Sequence, residues 1–374
     1  MLLGVALACM AVLAYTYLGY PVLVVLLSRL FPMKARSDTT YRPHVSALIP
    51  VYNARQFVAD KVESLMGCDY PADKLEVLVY SDGSDDGSDA CVEELAARFP
   101  GRVRLVRGDK RSGKPTALNV MRQQARGEVL LLTDIRQPLS RNAVSDLVAR
   151  LADPEVGCAS GNLVLRGATG AGFYWHYENA IRKAEARFRS MCGVTGPLYA
   201  MRRADLPEVP ADTILDDMWI PMRLRLAGKR LVLCEQAIAW DQAFDDEREF
   251  GRKVRTLAGN YQLLSRLPGL LFPFVNPIWF ETFSHKLLRL VCPWVLALLL
   301  AATVIAVAAR SGVGPGGWGW ADVLLGGEAA FALLTLLGSR AGKLGNVART
   351  FVVLNWAAVV GLGRFLRGAQ RITW

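Results

Sequence analysis

The sequence predicts an α/β domain held between membrane-spanning helices. Three observations predict it: long apolar runs at both ends, strands alternating with helices in the polar middle, and polar clusters falling just after the strands. The 374 residues, 52% of them hydrophobic, suffice for one sizeable core plus membrane helices.

From Leu2 to Phe31 no charge precedes Arg29, so the run is long enough to cross a hydrocarbon core of about 30 Å. It lacks the basic leading region and small-residue cleavage site of a signal peptide. Tyr17-Leu18-Gly19-Tyr20-Pro21 also places aromatic residues inside it. Residues 1–31 are therefore expected to be an uncleaved helix. Arg29, Lys34, Arg36 and Arg42 follow closely, and the positive-inside rule then sets the next domain, residues 42–266, in the cytoplasm.

Within that domain Val45–Val51 is a short β-prone run ending at a turn, and Ala54–Met66 reads as a helix. Glu76–Tyr80 is the second strand, and Ser81–Ser88 a turn-rich loop before a helix over Asp89–Phe99. Val103–Arg107 and Val129–Thr133 are further strands, with a helix over Thr116–Ala125 between them. Strands alternating with helices predict a parallel sheet covered on both faces. Ligands of such sheets bind at the carboxyl ends of the strands. Tyr52-Asn53, Asp82 and Asp134 all fall there, which predicts one pocket.

Residues 267–374 repeat the apolar pattern. Leu287–Ala309 carries only Arg289 and reads as a second spanning helix. Val323–Leu337 and Phe351–Leu362 are shorter, flanked by glycines and by Arg340, Lys343, Arg349 and Arg364, and fit either further spans or segments in the interface. The basic residues divide between the two sides of the last run, with Arg364, Arg367 and Arg371 beyond it, and give no clear orientation. Gly269–Phe283, with Trp279 and its phenylalanines, predicts an interfacial helix, because aromatic rings favour the headgroup level.

The net charge of +10 sits largely near these membrane segments, where anionic headgroups are the simpler partner. No zinc-finger spacing or RNP-like run accompanies it, so nucleic acid is not expected as a partner. Seven scattered cysteines without CxxC suit a reducing compartment. Arg111-Ser112-Gly113-Lys114-Pro115-Thr116 lacks the full GxxxxGK[ST] pattern of a P-loop, because Pro115 stands where Ser or Thr should follow the lysine. Lys114 and backbone N–H groups at a helix start can still hold a diphosphate. No GxGxxG follows a predicted strand, which counts against a dinucleotide oxidoreductase.

These residues resemble the family 2 glycosyltransferases of the GT-A fold, in their membrane-bound, polysaccharide-synthase-like branch (hyaluronan, cellulose and chitin synthase types). The match runs in order through Pro50-Val51-Tyr52-Asn53, Ser81-Asp82-Gly83-Ser84, Gly113-Lys114, Thr133-Asp134, Thr195-Gly196-Pro197-Leu198, Asp216-Asp217 and Arg252-Lys253-Val254-Arg255. It covers about two-thirds of the chain. The resemblance implies a Rossmann-like, nucleotide-sugar-binding GT-A domain. Pro50, Tyr52 and Asp82 would receive the nucleoside of a UDP-type donor, with Lys114 and Arg255 near its diphosphate. Asp134 would hold Mg2+ or Mn2+ as the first carboxylate of a DxD motif. Asp217 would be the general base that deprotonates the acceptor hydroxyl, and Gly196, Pro197 and Asp216 would line the acceptor side. Inversion of the anomeric centre follows from attack opposite the leaving group. The expected acceptor is lipid-linked or polymeric glycan, in exopolysaccharide, capsule or cell-envelope synthesis at a bacterial inner or plasma membrane, with membrane lipids as the surroundings.

Two departures bear on this. The second DxD carboxylate is replaced by Arg136, which cannot ligate a cation but can bind phosphate. Thr256 stands where processive synthases have a tryptophan, which weakens a long-polymer role. Each residue also has a plainer reading. Asp82 suits a turn, Asp134 a helix N-cap, and Asp216-Asp217 a solvated pair favoured by a helix dipole. Arg182, Lys183 and Arg187 to Arg189 are expected on an amphipathic helix facing the membrane surface. His44, His176 and His285 have no ligand-spaced partners and are expected to hold no metal. Two rival functions remain: a polyprenyl-phosphate sugar synthase, and a non-catalytic nucleotide-sugar-binding subunit.

Overall fold

The computed structural model describes residues 1–166, 172–242, 246–310, 319–370 and 372; Arg371 lies outside them. Among the described residues, seven strands form one sheet: β1 (Val45–Val51), β2 (Leu75–Ser81), β3 (Val103–Arg107), β4 (Val129–Thr133), β5 (Val156–Arg166), β6 (Leu198–Arg202) and β7 (Arg230–Gln242). Their order is β3-β2-β1-β4-β6-β5-β7. The first four are mutually parallel, as expected. β6 is not: it runs antiparallel to both β4 and β5, so the sheet is mixed. The sequence reading stopped short of that strand. Its turn from Gly196-Pro197 into β6 brings the chain back against the end of β4.

The helices, in chain order, are α1 (Leu2–Leu30), α2 (Arg55–Met66), α3 (Ser88–Arg98), α4 (Lys114–Gln124), α5 (Ala143–Leu151), α6 (Gly172–Phe188), α7 (Asp216–Leu226), α8 (Asp246–Arg266), α9 (Trp279–Ala309) and α10 (Trp320–Leu366). Strand side chains alternate between two cores, the period-2 signature of a sheet buried on both faces. Val45, Ala47, Ile49 and Val51 face the core shared with Val58, Val62 and Leu65 of α2, whereas Leu48, Leu78 and Tyr80 face Leu118 and Met121 of α4 and Ile220 of α7.

Pro50 lies in the central strand β1, where a missing N–H usually breaks a ladder. Pairing of β1 with β4 ends at Leu48–Leu132, so the two strands have already parted there. The gap between β1 and β4 is also where the strand order reverses, the place where open α/β sheets bind ligands.

α1, α9 and α10 are long and apolar enough to cross a membrane. Tyr20 and Val24 of α1 pack on Ile181, Ala184 and Phe188 of α6, and Ala6 and Cys9 on Leu299 of α9. Leu7, Leu18, Trp294, Ile305 and Leu336 stay exposed, as lipid-facing side chains would. The two shorter C-terminal runs fall on the two limbs of α10, Trp320–Leu337 and Gly342–Leu366, which fold back on each other at Gly338–Ala341 so that Phe331 meets Phe351, ring centroids 5.7 Å apart. No separate interfacial helix forms over Gly269–Phe283. Pro273 and Pro277 lack the N–H groups a helix needs, so the chain makes a short 3-10 turn at Pro268–Leu271 and becomes helical again at Trp279. Phe272 and Phe274 remain exposed in between.

Candidate active site

The turns after β1 and β2 lock together. Asn53 sits at φ 46°, a left-handed conformation that Asn tolerates better than most residues. Its amide donates to Asp85 (2.7 Å) and its side-chain oxygen accepts the Asp85 N–H (3.0 Å). Asp82 is buried, and its carboxylate accepts the N–H groups of Ser112 (2.7 Å) and Gly113 (2.8 Å) and the Ser112 hydroxyl (2.9 Å). Gly83 permits this: a Cβ there would stand 3.1 Å from the Arg111 nitrogen, at a φ of +74°. Asp82 therefore anchors the loop that delivers Lys114. Tyr52 lies beneath the Arg111 guanidinium, 3.8 Å from ring centroid to cation, a cation–π contact that makes a platform over the crevice.

Lys114 opens α4, and its ammonium lies 2.9 Å from Asp134 and 3.1 Å from Asp216. Burial opposes its charge, but Asp134, Asp216 and Asp217 outweigh that and hold it well above the usual lysine range. Burial likewise disfavours the Asp134 carboxylate, yet Lys114, with Lys61 and Arg136, keeps it below the usual range. An ammonium lodged between two carboxylates marks a position that a divalent cation can take. Asp134 and Asp216 are thus placed so that they could hold a divalent cation between them. Arg136 adds charge nearby but pairs with Asp241 at 3.2 Å.

Asp217 follows at the start of α7. Burial and then the neighbouring Asp216 raise it to about 6, against the opposing pull of Lys114. Gly196 lies directly against it: a Cβ on Gly196 would be 2.7 Å from Asp217 Oδ2. Pro197 faces β4, its carbonyl accepting the Thr133 hydroxyl at 2.7 Å. Arg255 of α8 donates to the Ile214 carbonyl (3.2 Å), two residues before Asp216, and its charge lowers the Asp217 pKa. Lys253 pairs with Glu249 at 2.9 Å. The structure therefore gathers Lys114, Asp134, Asp216, Asp217 and Gly196 into one cluster. Arg255 stands at its edge, while Pro50, Tyr52 and Asp82 line the adjoining turns.

Two residues of the site escape sequence reasoning. Lys61 of α2 is 1% exposed, and its ammonium donates to Thr133 Oγ1 and to the Gln137 carbonyl, both at 2.6 Å. Burial pushes it down to about 7, although Asp134 opposes the shift. The one available signal was a lysine on the face carrying Val58, Val62 and Leu65. Arg182, expected to face the membrane surface, instead donates to Thr195 Oγ1 at 2.8 Å, beside Gly196. Five residues along α6 from Arg187, and so about 140° around the helix, its side chain points to a different face. Arg187 and Arg189 are exposed, and Lys183 pairs with Glu235 at 2.7 Å.

Comparison with known proteins finds glycosyltransferases similar to this chain. A mannosyltransferase from Pyrobaculum calidifontis, PcManGT, solved with GDP-Man and Mn2+, is 25% identical with a TM-score of 0.77, covering 98% of this chain and 99% of that one. Beta-monoglucosyldiacylglycerol synthase of Synechocystis is 25% identical over 201 residues, 51% of this chain and 42% of that protein. An N-acetylglucosaminyltransferase of Mesorhizobium japonicum is 32% identical over 174 residues, 44% of this chain and 40% of that protein. The chain spans less than half the length of these two curated relatives. The family model for glycosyl transferase family 2 matches residues 46–208, which carry β1 through β6 and the turns between them. Residues 46–208 are thus similar to glycosyl transferase family 2, and the chain has the GT-A fold.

Proposed function

We propose that the chain is an inverting glycosyltransferase that moves a sugar from a nucleotide-sugar donor, of UDP type, to a membrane-associated acceptor in polysaccharide or cell-envelope synthesis. The observation that carries this reading is the convergence of Lys114, Asp134, Asp216 and Asp217 at the gap between β1 and β4, with Gly196 against the base. Tyr52 and Asp82 border the nucleoside end. Lys114 leaves its carboxylates to meet the donor diphosphate, with Arg255 behind it. Asp134 and Asp216 would hold a divalent cation, which would supply further positive charge at the diphosphate.

Asp217 accepts the proton of the acceptor hydroxyl while that oxygen attacks the anomeric carbon from the face opposite the diphosphate. The glycosidic C–O bond breaks, its electron pair leaves with the nucleoside diphosphate, and the configuration inverts. A carboxylate raised to about 6 is a stronger base than an ordinary one and remains mostly ionised at neutral pH. The three apolar helices would keep the acceptor side at the membrane, with the catalytic domain in the cytoplasm. Transfer to a phosphate-bearing lipid is the second reading, favoured by the Arg182 guanidinium at Thr195 on the acceptor side.

The test is turnover by the purified chain in lipid nanodiscs of UDP-, GDP- and TDP-sugars, with polyprenyl phosphate or glycolipid acceptors and Mg2+, Mn2+ or EDTA. One donor consumed with inverted product is the expected result. No consumption with any acceptor would refute the transferase reading in favour of a binding subunit.

A further inference from the structure

Away from the active site, α1, α6 and α9 enclose a second group of chemically able side chains. Glu185 of α6, Cys192 just beyond it and His285 of α9 are all buried, at 0%, 3% and 1% exposure. Their potential ligand atoms lie within 4.8 Å of one another. His285 falls in the π-wound segment Thr282–Leu287, whose wide turn places Ser284 and His285 inside. Such windings recur at functional sites. The sequence offered no hint, since His285 is about a hundred residues from its partners.

The surroundings are those of a ligand set. His285 Nδ1 faces Glu185 at 2.7 Å, and its Nε2 faces the Glu178 carboxylate at 3.2 Å. Arg289 in turn pairs with Glu178. A carboxylate behind one ring nitrogen, itself held by a cation, is the usual support of a metal-binding histidine. Cys192 Sγ lies 3.9 Å from Glu185 Oε1, and Tyr20 donates to that same oxygen at 2.6 Å. Glu185 Oε2 is buried with no hydrogen-bond partner among the described residues. So are both carboxylate oxygens of Glu281, four residues before His285. An imidazolium between two carboxylates would explain His285. It leaves unexplained the thiol beside the carboxylate and the unpartnered oxygens, which a native interior rarely tolerates.

We propose that Glu185, Cys192 and His285 form a structural site for a divalent cation of the zinc type. Thiolate, imidazole and carboxylate together suit Zn2+ among the common cations. Tetrahedral ligation needs ligand atoms about 3.3–3.7 Å apart. The 2.7 Å Glu185–His285 contact therefore opens by about 1 Å or less, and the widest separation closes by a similar amount. Binding releases the Cys192 thiol proton and any proton shared by Glu185 and His285 Nδ1, while Nε2–H stays directed at Glu178. The bound ion would clasp α6 and α9 to the segment that runs from Cys192 to Thr195-Gly196, fixing the acceptor side against a membrane helix. The site does not depend on the transfer reaction, and its readouts need no donor.

The experiment uses the full chain in detergent, stripped with chelator and titrated with Co2+ alone. Asp134→Asn serves as the background that removes the active-site ligand. One equivalent of tightly bound Co2+ with a thiolate-to-cobalt charge-transfer band, displaced by Zn2+, is expected. Cys192→Ser should abolish the band. His285→Gln, which keeps the thiol, should weaken Co2+ binding by about 10- to 100-fold. If Cys192→Ser does not fold, the His285→Gln comparison and the zinc content of the wild-type chain decide. Absence of a thiolate band in the folded Asp134→Asn chain, or a band unchanged in Cys192→Ser, overturns the proposal and leaves the cluster as an ion-pair network.

Discussion

Gly196→Ala perturbs the proposed base without touching its chemistry. The added Cβ would stand 2.7 Å from Asp217 Oδ2 and 3.3 Å from its Cγ, where ordinary contact begins near 3.4 Å. The carboxylate or the Thr195–Pro197 segment must therefore give by about 0.7 Å. The segment is held by the Thr133 bond to the Pro197 carbonyl and by Arg182 on Thr195, so the Asp217 side chain is the softer partner. A displacement approaching 1 Å at a reacting group can cost up to about 100-fold. The prediction is a roughly 10- to 100-fold fall in kcat, with donor affinity unchanged within about threefold, since the three atoms nearest the added Cβ all belong to Asp217. Overpacking costs about 1–3 kcal/mol, partly offset because alanine reduces the freedom of the unfolded chain. The assay pairs nucleoside diphosphate release with calorimetric donor binding. Wild-type kcat in Gly196→Ala would refute the placement of the base, and a loss confined to donor affinity would move this segment to the donor side.

Three further outcomes follow from the same geometry. Asp217 works as a base only when ionised, so kcat/KM should rise with pH and level off above about 6. Arg255→Ala, which removes a cation that lowers its pKa, should shift that acid limb upward, and a profile flat from pH 5 to 8 would count against the assignment. Removing divalent cation with EDTA, or substituting Asp134→Ala, should lower turnover by about 100-fold or more, because several kcal/mol of charge stabilisation are lost; activity insensitive to both would show that Lys114 and Arg255 neutralise the diphosphate unaided. Lys61→Met strands the Gln137 carbonyl and loosens Thr133, so chemical denaturation should show a loss of about 1–3 kcal/mol, and unchanged stability would refute the buried network.

The donor half of the site was legible because it is local. Strand, turn and helix follow one another from Val45 to Asp134, and each carboxylate falls where its strand ends, so periodicity and turn chemistry place it. The acceptor half depends on β6, an antiparallel strand whose position next to β4 is set by tertiary packing. Asp216 illustrates the difference: sequence order groups it with the acceptor side, whereas the fold points it at Lys114 and Asp134. Arg182 was misplaced because its helix carries basic residues on two faces, and only packing decides which faces inward. Lys61 and His285 were invisible for a related reason. A polar residue buried on one face of a helix acquires meaning only from partners far away in the chain.

The central claim is that Asp217 is the base of a glycosyl transfer reaction. Its most direct test compares wild type with Asp217→Asn for nucleoside diphosphate release and for donor binding, in the same nanodisc preparation. The account predicts a fall in kcat on the order of 10³-fold, with donor dissociation constant within about threefold of wild type. Turnover by Asp217→Asn at a rate near that of wild type would contradict it.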